Sequence, residues 1–358
     1  MKHKPPISRR TFLRISATVA AGAALVGCSP KQNTTLPADT STPTSPATIP
    51  PSPTVQNSSS SAVPTEPTQT QAIHTEASTS TGEPTPTSAP AYLAVAHGPD
   101  PASITRAAVA ALGGMATFVS PGYDVIVKPN ICTDYHTYEY ASTTNPTVVA
   151  TLVAMCLEAG AKRVRVMDYP FGGTAKSAYA ISGIQEAVEA AGGEMHVMSQ
   201  PKYTRVDIPL GRDITSVEIY PDVLEADLLI NVPIAKSHDA TRLTLGAKNL
   251  MGVILDRGMM HFNLKQRIAD LASLVRPPLT VIDAVRILTA HGPTGGDLRD
   301  VKQMDMVIAS RDIVAADAYA ATLFGLTGAD IGYIKAGADM GLGTMDLTGL
   351  DIREINLG

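Results

Sequence analysis

The stretch Asp124–Asp168, DVIVKPNICTDYHTYEYASTTNPTVVATLVAMCLEAGAKRVRVMD, decides the fold class. It opens and closes on short apolar runs of strand length, Asp124–Lys128 and Arg163–Asp168. Between them Asn145 can cap a helix, Pro146 suits its first position, and Val148, Val149, Leu152, Val153, Cys156 and Leu157 form one stripe. Cys156 on that stripe reads as a core thiol rather than a ligand. Similar strand-like runs occur at Tyr92–Ala96, Glu194–Met198, Asp227–Val232, Leu279–Asp283 and Met304–Ala309, with helical patterns between several of them, including one from Asp312 to Phe324. This strand–helix alternation predicts an α/β fold: a largely parallel sheet with helices on both faces, in one lobe or two.

Parallel strands align their carboxyl ends along one sheet edge, where open α/β proteins place ligands. Polar chemistry recurs there. The run ending at Val127 leads into Lys128-Pro129-Asn130, and Arg163–Met167 leads into Asp168. Asp227–Val232 leads into Pro233 and then Lys236, Ser237 and His238, while Leu279–Ile282 leads into Asp283. Any single polar strand end is explained by emergence into water. Recurrence at successive strands points instead to one crevice suited to an anionic ligand, or to a metal with a carboxylate or phosphate substrate.

A second cluster is Leu245-Gly246-Ala247-Lys248-Asn249-Leu250-Met251-Gly252, with Thr241 and Arg242 before it and His261 after it. Flanking glycines let backbone approach a ligand while Lys248 supplies charge. The alternative is a helix with an exposed Lys and Asn and a terminal glycine cap. Asp317 shares a helix face with Ile313, Ala320, Ala321 and Phe324, so its carboxylate points inward and needs a partner. Lys128, Lys236 and Lys248 are candidates, as is a purely structural amide or arginine.

The expected division of labour follows from residue type. Lys236, His238 and Asp283 are the catalytic candidates, with His238 supplying acid/base capacity near neutral pH. Lys128, Asn130, Asp168, Lys248 and Asn249 are ligand-binding candidates. The sequence names no cofactor. It allows a divalent metal at His238, His261 and Asp317, although the histidines, His291 included, are too widely spaced for a motif such as HExxH. The Gly-rich turns Gly172–Lys176 and Gly292–Gly296 do not match a phosphate loop. A noncatalytic cradle that captures a small anionic ligand for a membrane partner uses the same basic residues.

The N-terminal region reads as an address. Lys2, Lys4, Arg9, Arg10 and Arg14 precede the apolar run Ile15–Val26, which is too short to span a bilayer, and Ser8-Arg9-Arg10-Thr11-Phe12-Leu13-Arg14 resembles a twin-arginine export motif. Leu25-Val26-Gly27-Cys28 resembles a lipoprotein processing box in which Cys28 receives lipid. An ordinary cleaved signal with an incidental Cys28 is the alternative. Expected partners are thus the twin-arginine translocase during export, membrane lipid through Cys28, and a small anionic ligand. The predicted organisation is a signal peptide over 1–28, a disordered Ser/Thr/Pro linker over 29–91, either bare or glycosylated, and a globular domain over 92–358. The chain would then sit on the outer face of the cell membrane, or in the periplasm if there are two membranes. A net charge of −5 disfavours nucleic acid, and the absence of Trp disfavours a carbohydrate-stacking surface. Beyond Cys28 only Cys132 and Cys156 remain, without a CxxC pattern, so no iron–sulfur cluster is expected on this chain.

Together KPN at Lys128–Asn130, TNP at Thr144–Pro146, NVPIAKSHDATRLTLGAKNLMGVI at Asn231–Ile254, His261, VIDAV at Val281–Val285, GPTGG at Gly292–Gly296 and ASRDIVAADA at Ala309–Ala318 resemble the bacterial and archaeal family designated domain of unknown function 362. The likeness runs from near Asp124 to Phe324, with the motifs in the family's order. Members often carry ferredoxin-like cysteine modules; this chain lacks one, so an electron-transfer role does not carry over. What the resemblance implies at Lys236, His238, Lys248, Asn249, Asp283 and Asp317 is motif membership without a reaction. A fainter likeness to nickel-pincer lactate racemases, which also place His and Lys beside Gly-rich turns, is one of analogy.

Overall fold

A computed structural model describes residues 89–358. In chain order the elements are β1 (Leu93–His97), α1 (Pro101–Ala111), β2 (Asp124–Pro129), α2 (Pro146–Glu158), β3 (Arg163–Val166), α3 (Ala175–Ile181), α4 (Ile184–Ala190) and β4 (Glu194–Met195). They continue with β5 (Thr204–Asp207), β6 (Ser216–Ile219), α5 (Asp222–Glu225), β7 (Leu228–Val232), β8 (Ile234–His238), β9 (Arg242–Thr244) and α6 (Gly246–Asn249). The last are α7 (Leu264–Val275), β10 (Leu279–Leu288), β11 (Val301–Ser310), α8 (Ile313–Thr322), α9 (Gly332–Asp339) and β12 (Ile352–Asn356).

The sheet runs β12-β1-β11-β10-β7-β2-β3-β4, with β8 beside β10 and β9 beside β8. It is largely parallel: β11 is antiparallel to both β1 and β10, and β9 to β8, while the other pairings are parallel. The reversal of β11 has a local cause. The 289–300 connection holds only a short 3₁₀ turn at Leu298–Asp300, not the crossover helix that a parallel return needs. β5 and β6 form a separate antiparallel pair.

Alternation along the strands builds two cores. Val125, Val127, Leu228, Ile230, Val281 and Val307 face the helical layer of α1–α4, where Ile104, Val149, Leu152 and Val188 are buried with them. Ile126, Leu229, Ile282 and Ile308 face the opposite layer, packing with Ile268 and Leu271 of α7, Ile313 of α8 and Ile334 of α9. Each such side chain contributes about 1.5–3 kcal/mol on burial. Helix starts follow the caps: Asp100 accepts from the amides of Ala102 and Ser103, Asn145 from Thr147, and Asp312 from Val314 and Ala315. Cys156 is in the core, and burial pushes its thiol up to about 12.

Two details correct the sequence reading. β10 continues past Asp283 to Leu288, so that carboxylate is internal to a strand rather than at its end. The run Glu194–Met198 forms a strand only at Glu194–Met195. The order also creates a switch point. From β2 the chain moves through α2 to β3 on one side; from β7 it moves through α7 to β10 on the other, and α2 and α7 cover opposite faces. Such a reversal opens a crevice at the carboxyl ends of β2 and β7. All described residues fall in one unit. Among them no helix is long and apolar enough to cross a membrane. Arg9, Arg10, Cys28 and the Ser/Thr/Pro linker lie outside the described residues.

Candidate functional site

The switch-point crevice holds a cavity of about 400 Å³ whose wall includes Asn130, Cys132, Asp168, Tyr169, Lys236, His238, Lys248, Asn249, Gly252, Arg257, His261 and Pro293. Its floor is a buried ion pair. Lys128, the last polar side chain of β2, is 0% exposed and lies 2.8 Å from Asp168 at the end of β3. The Lys128 ammonium also donates to Asn249 O (2.6 Å), Asn249 Oδ1 (2.8 Å) and Pro129 O (3.0 Å). Burial lowers the Lys128 pKa to about 8, with Asp168 opposing the shift. The other oxygen of Asp168 accepts from the Ile131 amide at 2.6 Å. Gly252 seals this floor: a Cβ there would fall 2.0 Å from Asp168 Oδ1 and 2.6 Å from Lys128 Nζ. That close approach requires glycine.

A directional chain of amides crosses the cavity wall. Lys236 Nζ donates to Asn130 Oδ1 (3.0 Å), Asn130 Nδ2 to Asn249 Oδ1 (2.9 Å), Asn249 Nδ2 to Asn231 Oδ1 (2.9 Å), and Asn231 Nδ2 to Gly246 O (3.0 Å). Each link fixes the next amide's orientation, so Asn130 and Asn249 are locked rather than free to adapt. Lys236 is buried and donates twice more, to Ser142 O (2.6 Å) and Pro293 O (2.9 Å). The Pro293 carbonyl also accepts from Cys132 Sγ at 3.5 Å, which brings the GPTGG turn over the lysine.

Lys248 differs from the other two lysines. It is half-buried in the wall, and among the described residues no acceptor or carboxylate meets its Nζ. Burial, reinforced by Lys236, Arg257 and Lys128, brings its pKa down to about 7. His238 is pushed further, to about 3, by burial and by the charges of Lys248 and Lys236. Its Nδ1 accepts from the Ala240 amide at 3.1 Å, so the neutral ring carries its proton on Nε2. The expected titration near neutral pH therefore does not suit His238, whose imidazolium is opposed by surrounding positive charge. It is a neutral donor. His261 has the opposite tautomer: its Nδ1–H donates to Arg257 O at 3.0 Å, leaving Nε2 as the acceptor.

Arg257 was not foreseen. It donates to the Tyr169 carbonyl, stacks over the Tyr169 ring at 4.7 Å, and keeps a buried Nε–H without a partner. Cys132 and Tyr169 were also missed; both stand within two residues of a strand-end residue that was singled out, Asn130 and Asp168, so reading slightly further along those loops would have found them. For Arg257, isolated between Gly252 and His261, the sequence offers no comparable signal.

Two candidates do not reach the cavity. Asp283 is buried away from the cavity wall and accepts from the amides of Asn145 (2.6 Å) and Val285 (3.0 Å), fastening the start of α2 to β10. Asp317 accepts from the amides of Gly246 (2.6 Å) and Ala247 (2.9 Å), not from a lysine. It pins the start of α6, the turn that carries Lys248 and Asn249 into the wall. Burial raises Asp283 to about 6 and Asp317 to about 7 despite these amide bonds. The set His238, His261 and Asp317 is thus not assembled, and no group of three or more His, Cys, Asp or Glu among the described residues could hold a metal ion. His291 is exposed and pairs with Asp300 at 2.7 Å, outside the cavity wall. In all, Lys236, Lys248 and Arg257 line the same cavity as one carboxylate, Asp168, which is paired with the buried Lys128.

The family model described as domain of unknown function (DUF362) matches residues 125–322, which contain every cavity residue named above. The thylakoid-associated protein sll1697 of Synechocystis sp. is 28% identical over 251 residues, covering 64% of this chain and 72% of that protein. Among solved structures, the lactate racemase apoprotein of Thermoanaerobacterium thermosaccharolyticum aligns with a TM-score of 0.38 at 12% identity over 59% of this chain. The present chain spans about half of that enzyme's length, 53%.

Proposed function

The chain belongs to the DUF362 family, and on that premise we propose that its domain binds and acts on a small anionic ligand in the strand-end crevice, as an exported domain tethered to a membrane surface. One observation carries the ligand class: Lys236, Lys248 and Arg257 line a cavity whose one carboxylate, Asp168, is already paired with Lys128 beneath it, and among the described residues Lys248 has no partner of its own. Uncompensated charge in a half-buried cleft is costly, and a bound anion offsets that cost. The guanidinium of Arg257 on the same wall is of a type suited to a carboxylate or phosphate oxygen.

Calorimetric titration of oxalate into the full chain tests this reading. Anion binding favours the ammonium form of Lys248, so affinity should fall as pH rises through about 7. Lys248→Met should weaken binding by about tenfold, near 1.4 kcal/mol, and remove that pH dependence. Equal affinity in the two proteins would contradict it.

The noncatalytic reading, capture of the ligand for a membrane partner, is favoured by a different observation. Lys128 and Lys236 are saturated by protein acceptors, and His238 is held neutral, as in a rigid cradle.

The tether rests on the Arg9–Arg10 motif and the box ending at Cys28. A relative named as thylakoid-associated accords with a membrane-linked location. Cys28→Ala should move the protein from the membrane to the soluble fraction on centrifugation, whereas unchanged membrane association would count against lipidation.

A further inference from the structure

We propose that Lys248 is a nucleophilic amine that forms an imine with a small carboxylate bearing an aldehyde or ketone, a role that rests on the anionic-ligand reading and names its substrate class. The three lysines at the cavity are held differently. Lys128 is tied to Asp168 and three oxygen acceptors, and Lys236 to three oxygen acceptors, so neither amine is free to meet a ligand. Among the described residues, Lys248 alone of the three reaches the cavity with its Nζ uncommitted. An amine becomes a nucleophile only when it is free of its proton, and neighbouring cationic groups favour that state. Burial of the Lys248 amine, with Lys236 and Arg257 beside it, supplies this environment, and the resulting pKa of about 7 leaves a large neutral fraction at physiological pH. The same cations attract the carboxylate of the substrate and bring its carbonyl to the amine.

The step balances without an oxidant. The Lys248 nitrogen lone pair bonds to the carbonyl carbon, the carbonyl π pair moves to oxygen, and the proton lost by nitrogen ends on that oxygen, giving a carbinolamine. Loss of the hydroxyl as water, after protonation, leaves the C=N bond. The Nε2 lone pair of His261 is an acceptor on the same wall for the proton in transit.

The test incubates the full chain with glyoxylate and sodium cyanoborohydride, which reduces an imine to a stable secondary amine, and maps the adduct by peptide mass spectrometry. Glyoxylate is the smallest carboxylate with a carbonyl, so cavity size does not limit it. The expected result is one dominant adduct at Lys248, formed faster above neutral pH and suppressed by oxalate. In Lys248→Arg, which keeps the charge, the adduct should be lost while oxalate binding persists. An adduct spread over surface lysines, or equally abundant in Lys248→Arg, overturns the imine role. Oxalate binding without any Lys248 adduct overturns it too, and leaves the anion site standing. Absence of both would sink the anionic-ligand reading itself.

Discussion

Asp168→Asn should lower the unfolding free energy by about 3–5 kcal/mol, the range for removing one member of a buried ion pair. Lys128 is fully buried, and its remaining acceptors are neutral carbonyl and amide oxygens. With the carboxylate gone, the ammonium has no compensating charge, and its pKa should fall below the present value of about 8. The sign of the pH dependence follows. A lysine whose folded pKa is depressed binds fewer protons folded than unfolded, so the fold gains stability as pH rises through that interval. The deficit of Asp168→Asn should therefore narrow as pH rises, because the folded state then accommodates neutral Lys128. Urea denaturation at several pH values measures both effects. Gly252→Ala attacks the same pair without removing either charge, since its methyl group would overlap Asp168 and Lys128. A loss below about 1 kcal/mol in both variants would mean that the pair does not hold the cavity floor.

Asp317→Asn should destabilise by about 2–3 kcal/mol and impair ligand binding without touching the cavity. The wild-type carboxyl accepts from two amides at the start of α6. Asparagine keeps one acceptor and sets an NH₂ group against the other amide, leaving buried donors opposed. Because α6 carries Lys248 and Asn249, its displacement should reach the site through position rather than charge. Oxalate affinity should therefore fall while its pH dependence, set by Lys248, persists. The stability difference also has a defined slope. Asp317 titrates at about 7 in the fold against an ordinary value near 4, so its contribution is largest at low pH and declines as pH rises through about 7. The gap between wild type and Asp317→Asn should widen from about pH 8 to about pH 5, and a constant gap would place the titration elsewhere.

Much of the fold was legible because its signals are local. The short apolar run Val125, Ile126 and Val127 and the capped stripe of α2 need no tertiary information. The reversal of β11 was not legible from its apolar run, because strand direction depends on the connection and not on the strand. β8 and β9 were hidden because Lys236, Ser237 and His238 read as a polar loop, although they pair with β10 and β9. At the site, Lys128, Asn130, Asp168, Lys236, His238, Lys248, Asn249 and His261 do converge: parallel strands and one switch point bring the strand-end residues together, and the turns after β9 carry in Lys248, Asn249 and His261. Protonation was the harder inference. The low pKa of His238 comes from burial, with Lys248 and Lys236 adding to it, and the anchoring of Asp283 and Asp317 by backbone amides is invisible until the chain is folded.

Crystals of the protein grown with selenate show through anomalous scattering whether this cationic crevice is an anion site. The expected result is a strong selenium peak inside the cavity, within hydrogen-bond reach of Lys248 and Arg257, that disappears in Lys248→Met. Selenate found solely on exposed surface lysines and arginines, with the cavity occupied by water, would contradict the claim.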